Sequence, residues 1–322
     1  MPLKHIHPHE GDERHPQAIR VITSALADQA IRLLIGAVGI IPRPWGLQAG
    51  AFLGRLVFAL DQRHRKVAMD NLRNAYGAEL APAAVQDTAR RVFEHFGKVL
   101  FEVCWAWRMD EKQLLRHFRV YGLEHMQQAC RQNRGVLALT GHLGNWELLS
   151  AVVAWLDRPI SIVYRPLDFP PLSRFIERFR MRFGAGLIHR RKALRRILRM
   201  LGKGGIVAVL LDQSVDWYEG VFVDFFARRT CTNQAMARLA LKTGAPVIPV
   251  FLIREEGGFA ATFLPEIPLV RTGDPIKDVE MNTENYNRAI ESVIRQHPEQ
   301  WFWVHRRWKI RPYTAWKGAP PS

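Results

Sequence analysis

The sequence predicts an α/β protein, with a mostly parallel or mixed central sheet carrying helices on both faces and a helical N-terminal region in front. Three observations carry this. Short β-branched or apolar runs alternate with helix-period segments from Phe118 onward, the spacing of strand–helix–strand units with right-handed crossovers. Val136–Thr140 is a continuous apolar run bounded by glycines, as expected of a strand buried on both faces. Residues 19–107 lack strand signals, and their apolar residues recur with helical spacing.

In order, residues 1–17 are polar, rich in Pro and charge, and include His5, His7, His9 and His15. They read as a disordered tail, with a metal site as the less economical alternative. No secretory signal is expected there, because the stretch mixes acids and bases. Ile19–Ile41 and Gly46–Leu60 read as two helices broken at Ile41-Pro42-Arg43-Pro44. Both are apolar around most of their circumference. Either they pack on the rest of the chain or they lie in a lipid interface, and a shared role is the reading adopted. Asp28 and Arg32 interrupt the best candidate for a spanning helix. About 20 predominantly apolar residues are needed to cross a bilayer, so surface attachment is the simpler expectation.

A helical region from Arg63 through Trp107 follows, with Val92, Phe93, Phe96, Val99, Leu100 and Val103 at helical spacing. Expected strands are Phe118–Tyr121, Val136–Thr140, Ile160–Tyr164, Leu187–His189, Ile206–Leu211, Val221–Phe226, Val247–Ile253 and Phe259–Leu264. Expected helices among them are Leu123–Asn133, Asn145 onward, Leu172–Phe183, Ala193–Leu201, Asn233–Thr243 and Thr283–His297. The division is a tail (1–17), a helical membrane-associating region (18–110) and an α/β catalytic domain (111–322).

Lys and Arg number 46 against 30 acids, a formal net charge of +16, which points to a polyanionic partner: nucleic acid, an anionic membrane surface or a phosphorylated substrate. Three widely spaced cysteines, Cys104, Cys130 and Cys231, make neither a disulfide framework nor a metal motif and suit a reducing compartment. Leu172–Lys203 carries nine arginines and two lysines against one acid, Glu177. Its helices suit an anionic surface or an ordinary solvated face. Trp301–Trp308 interleaves aromatics with His305, Arg306 and Arg307, a composition of bilayer interfaces or base-stacking surfaces.

The stretch Val136–Ser150, VLALTGHLGNWELLS, is where chemistry concentrates. It puts His142 and Glu147, with four residues between them, at the carboxyl end of a strand, the edge where open α/β sheets bind ligands. An imidazole there serves as general base toward an alcohol, and a carboxylate on its far ring nitrogen fixes the tautomer. A capping carboxylate beside an incidental histidine is the plainer alternative. Asn145 is placed to cap the helix, and Gly141 and Gly144 leave room for close backbone approach. No G-x-S-x-G elbow is present, and neither H-E-x-x-H nor Cys/His spacing accompanies His142, so no metal and no cofactor is expected.

The string GHLGNWE resembles the signature of the bacterial lipid A biosynthesis acyltransferases, within the superfamily that includes glycerol-3-phosphate acyltransferase. RHRKVAMDNL (63–72), YRPLDFPPL (164–172), LDQSV (211–215), GVFVDFF (220–226), TGAPVIPVF (243–251) and PEQWFWVHRRWK (298–309) resemble that family's other blocks, in order. The resemblance implies a glycerol-3-phosphate acyltransferase-like fold and transfer of an acyl chain from an acyl carrier protein or coenzyme A thioester. The acceptor it implies is a glycolipid hydroxyl of a lipid A precursor, at the cytoplasmic face of the bacterial inner membrane. It casts His142 as base and Glu147 as its orienting partner, with Gly141, Asn145, Arg165, Asp212 and Gln213 binding substrate. Arg165 would meet a phosphate or oxyanion, or else pair with Asp168 or Asp212. Asp212 and Gln213 would bond sugar hydroxyls or hold Arg165. Other glycolipids, such as phosphatidylinositol mannosides, are the alternative acceptors. The competing class is a non-catalytic basic protein binding nucleic acid or anionic lipid. No DNA- or RNA-binding motif supports it, so no nucleic acid is expected.

Overall fold

The computed structural model describes the backbone of residues 14–309 and the side chains of residues 26–309. The side chains of His5, His7, His9 and His15 lie outside the described residues. Helix α1 (Arg14–Val38) begins within the stretch read as tail. It is followed by α2 (Arg43–Leu60), α3 (Gln62–Tyr76) and α4 (Pro82–Trp107). The Pro-rich break falls where expected, with proline in the first turn of α2. α2 and α4 touch backbone to backbone, since a Cβ on Gly50 would stand 2.6 Å from the Gly97 carbonyl oxygen. That close seam leaves the far side of α2 bare: Phe52, Leu53, Leu56 and Leu60 are exposed. α1 is tied to the α/β part through Asp28, which accepts from Arg174 Nε and Nη2 at 2.9 Å.

The α/β part then runs α5 (Glu111–Leu115), β1 (Phe118–Tyr121), α6 (Leu123–Arg131), β2 (Val136–Thr140), β3 (Ile160–Tyr164), α7 (Pro170–Met181), β4 (Gly186–His189), α8 (Leu194–Gly202) and β5 (Ile206–Leu210). It continues with β6 (Gly220–Phe225), β7 (Arg228–Asn233), α9 (Ala235–Thr243), β8 (Val247–Glu255), β9 (Gly258–Phe263) and α10 (Pro275–Gln296). Seven strands form one mixed sheet in the order β1-β9-β8-β2-β5-β3-β4. β2 pairs in parallel with β5 and β8, and only the β8–β9 pairing is antiparallel. The α/β class, the helical N-terminal region and the strand positions follow the expectation.

β2 is buried along its whole length. Its residues divide between two cores: Leu137 and Leu139 join the cluster under α9 and α10, and Val136 and Ala138 the one under α6 and α7. Such two-sided burial explains why this strand reads as an unbroken apolar run.

Three features depart from expectation. No α-helix opens at Asn145; a 3₁₀ run covers Leu148–Trp155 instead. β7 was not expected, because Arg-Arg-Thr-Cys-Thr-Asn is polar. It forms since β6 supplies its ladder and the fully buried Arg307 donates to Thr230 Oγ1, the Cys231 carbonyl and Thr232 Oγ1. The aromatic C-terminal segment is not a bilayer surface: Trp301, Trp303 and Trp308 are all buried, stacked on Phe225, Phe226 and Tyr76. The basic α7 likewise turns Phe175 and Phe179 into the core.

Candidate active site

β2 and β5 run side by side, and the Leu211 N–H donates to the Thr140 carbonyl just past their paired ends. This aligns the next residues of the two loops, Gly141-His142 and Asp212. A Cβ on Gly141 would stand 3.2 Å from the Asp212 Cβ and Cγ. The glycine therefore makes room for an aspartate, and not for substrate. Asp212 Oδ2 accepts from the His142 backbone N–H at 2.8 Å. Its Oδ1 lies 2.9 Å from His142 Nδ1. Trp301 Nε1 donates to Oδ2 at 2.8 Å. Asp212 is only 1% exposed. Burial by itself would raise its carboxyl; the facing His142 ring, the His142 N–H and the Trp301 indole outweigh that and hold it at about 2.

An ionised carboxylate only accepts, so His142 Nδ1 carries the proton of their bond, and in the neutral ring Nε2 keeps its lone pair. The ring is 24% exposed. It sits between the Trp146 indole, edge-on at 5.2 Å, and the Phe302 ring at 5.9 Å. The Phe302 N–H donates to the His142 carbonyl at 3.0 Å. No described protein group hydrogen-bonds Nε2, which is the nitrogen available to a substrate.

The carboxylate that steadies His142 is thus Asp212, not Glu147. Glu147 is clamped by Arg180 of α7, whose Nε and Nη2 donate at 2.8 and 2.7 Å, and its Oε1 accepts from Trp146 Nε1 at 3.0 Å. It fixes the indole that packs on His142. The expectation that Asp212 binds sugar or holds Arg165 also fails: it is buried with both oxygens engaged. Arg165 pairs with Asp168 at 2.6 Å, both side chains exposed beyond β3. Gln213 lies half-buried beside Asp212.

Asn145 does not face substrate either. It is fully buried, its Oδ1 accepting from Leu148 N–H at 3.3 Å and its Nδ2 donating to Glu102 Oε2 at 3.0 Å. Glu102, on α4 and fully buried, is held by Arg254 of β8 at 2.7 and 2.5 Å. Arg254 Nη1 reaches His95 Nδ1 at 2.5 Å, and His95 Nε2 bonds the Gly144 carbonyl at 3.1 Å. Arg43, opening α2, adds a contact to Glu102 at 3.4 Å. Gly144 has φ +62° and lies where a Cβ would strike the Leu252 carbonyl. The loop from 141 to 147 is therefore pinned from beneath by a buried ionic cluster. Single charged residues inside apolar helix α4 were the sequence signal for it.

Beside the dyad, sharing Trp146 with it, lies a narrow apolar slot with a cavity volume of about 60 Å³. Thr140, Trp146 and Leu210 line it near the carboxyl ends of β2 and β5; Ala138, Ala208, Ile162, Val250, Met126 and Phe263 line it further along the sheet. Among the described residues no three His, Cys, Asp or Glu side chains form a metal-holding group. The arrangement is suited to removing a proton from a neutral nucleophile beside a bound apolar chain.

Comparison with known proteins places the chain in a family. Residues 19–310 match the family described as bacterial lipid A biosynthesis acyltransferase. The chain is 29% identical over 273 residues to the lipid A biosynthesis lauroyltransferase of Escherichia coli (strain K12), covering 84% of this chain and 88% of that protein. It is 29% identical over 275 residues to the lipid A biosynthesis palmitoleoyltransferase of the same organism, covering 84% and 87%. It is 24% identical over 204 residues to a phosphatidylinositol mannoside acyltransferase of Mycolicibacterium smegmatis (strain ATCC 700084 / mc(2)155), covering 62% and 65%. A family match over residues 19–310, with curated relatives covered over most of their length, makes this protein an acyltransferase and a member of the bacterial lipid A biosynthesis acyltransferase family.

Proposed function

We propose that the enzyme transfers a fatty acyl chain from an acyl thioester to a hydroxyl of a lipid A precursor. His142 Nε2 accepts the hydroxyl proton as the oxygen attacks the thioester carbonyl. The C–O bond forms, the C–S bond breaks, and the proton passes from the imidazolium to the departing thiolate. Asp212 stabilises the imidazolium, the role a buried carboxylate plays in such pairs. The apolar slot takes the acyl chain. The His142–Asp212 pair, with the Trp146 that packs on it lining the slot, is the observation that carries the reading.

The donor in this proposal is the thioester of acyl carrier protein or coenzyme A. A lipid A precursor is preferred as acceptor because the lauroyl- and palmitoleoyltransferases match over more of the chain than the mannoside enzymes. The proposed site of action is the cytoplasmic membrane surface. Among the described residues no single helix is long and apolar enough to cross a membrane; Leu26–Val38 and Arg43–Leu60 pass that test only together, bent by 120°. Exposed Leu33, Leu34, Trp45, Phe52 and Leu56 supply an apolar face for shallow insertion.

The test is transfer of labelled acyl groups from the two thioesters to a lipid A precursor and to a phosphatidylinositol mannoside, read by thin-layer chromatography and mass spectrometry. His142→Ala should lose transfer while keeping its fold. Wild-type turnover by that variant, or product only with the mannoside, defeats the corresponding part of the proposal.

A further inference from the structure

Away from the dyad, α3 and the C-terminal segment enclose an open cleft lined by Arg63, Lys66, Arg306 and Lys309. All four side chains are exposed, and no described carboxylate lies within ion-pair reach of any of them. The acid that lines the cleft, Asp70, is paired with Arg73 at 3.1 Å. Asn71 Nδ2 holds the two walls together by donating to the Trp303 and His305 carbonyls, each at 2.6 Å. The fold therefore gathers four exposed like charges on facing walls, a concentration of positive charge that attracts an anion. On α10, by contrast, Arg288 and Arg295 lie beside Glu284 and Glu291.

Two connections orient the cleft. The segment that bears Arg306 also bears Phe302, which packs on His142. The exposed apolar residues of α2 end at Leu60, 72% exposed, and Arg63 lies just across the Asp61 break, in the first turn of α3. Apolar residues followed in the chain by arginine and lysine with no acid partner among the described residues suit a ligand that is anchored in lipid and carries its charge at headgroup level. Arginine and lysine together are suited to phosphoryl oxygens, the one by a planar fork and the other by a point charge.

We propose that this cleft binds a phosphoryl group on the headgroup of the lipid acceptor and so orients that acceptor toward His142. The inference rests on the acyltransferase reading above, and its test is separable from it. Lys66→Glu/Arg306→Glu alters only exposed side chains; unchanged circular dichroism and Tm verify the fold. With full-length enzyme in micelles, KM is measured for a phosphorylated glycolipid acceptor, for the same acceptor after phosphatase treatment, and for the donor. Losing a charge-assisted contact predicts a rise of roughly tenfold or more in KM for the phosphorylated acceptor. kcat and donor KM should stay unchanged, and the variant and wild type should differ little on the dephosphorylated acceptor.

A second arm, in a His142→Ala background, measures equilibrium binding of that acceptor and of inorganic phosphate without turnover. Weaker binding of both in the charge-reversed protein supports the cleft even if the catalytic reading fails. A rise in donor KM instead would assign the cleft to an acidic carrier protein and overturn the proposal. Loss of binding to phosphatidylglycerol vesicles with acceptor KM unchanged would assign it to bulk anionic lipid, and also overturn it. No change in any reading does the same.

Discussion

His142 Nδ1 and Asp212 Oδ1 lie 2.9 Å apart, joining two loops 70 residues distant in the chain at adjacent carboxyl ends of β2 and β5. The pair is a buried acid beneath a partly exposed base. Its geometry leads to the first prediction. Asp212→Asn keeps the size of the side chain but offers no anion to the imidazolium, and its amide can donate to Nδ1 and impose the wrong tautomer. kcat should fall by roughly 10²–10⁴, with KM for the donor little changed, as steady-state assays will read. Retained kcat would remove Asp212 from the mechanism.

Glu147 acts at one remove. Because its carboxylate binds Arg180 and the Trp146 indole, Glu147→Gln should lower both Tm and kcat. Arg180→Met should produce the same pair of effects, and the double variant should cost less than the sum of the singles, since the two side chains share one interaction. Thermal melts and kinetics on the three proteins make the cycle. Additive losses would show that Glu147 acts independently of Arg180.

The apolar slot should govern chain length. Ala138 and Ala208 line it on neighbouring strands in register. Ala208→Leu adds volume to the slot and should shift preference toward shorter acyl donors, raising KM for the longest chains by about tenfold, the scale of one or two displaced methylenes. Competition between thioesters of graded length, resolved by mass spectrometry, measures it. An unaltered product distribution would place the chain elsewhere.

Acid should destabilise the protein through two histidines held neutral. Burial depresses His305 to about 4, and burial together with the Arg254 charge takes His95 well below its ordinary value. The unfolded chain, with histidines near about 6.5, binds more protons between these limits. Stability is therefore complete above about pH 6.5 and is lost as pH falls toward 4. His305 Nε2 accepts from the Ser214 N–H at 3.3 Å, a bond that protonation removes. His305→Gln should flatten the fall of Tm between pH 6.5 and 4, as calorimetry will read. An unchanged slope would assign the acid sensitivity to other groups.

The bare side of α2 gives a last prediction. Phe52→Glu/Leu56→Glu should weaken sedimentation with anionic vesicles several-fold, because two apolar contacts with lipid become charges, while transfer to a micellar acceptor persists. Equal sedimentation of variant and wild type would exclude that face from lipid contact.

The sequence alone determined most of the elements and singled out the histidine at the end of β2. Period-2 and period-3.6 patterns are local, so β2, β5 and α4 are legible, and His142 stands out because a short glycine-bounded loop follows a buried strand. Tertiary structure decided which acid serves that histidine. Glu147 is near in sequence, but its side chain meets Arg180; Asp212 is distant in sequence, yet parallel pairing of β2 with β5 sets it against the ring. It also decided that Trp301 and Trp303 are core and that Gly141 and Gly144 make room for protein. Strand pairing and packing join residues far apart in the chain, and no spacing within a single stretch records which of them will meet.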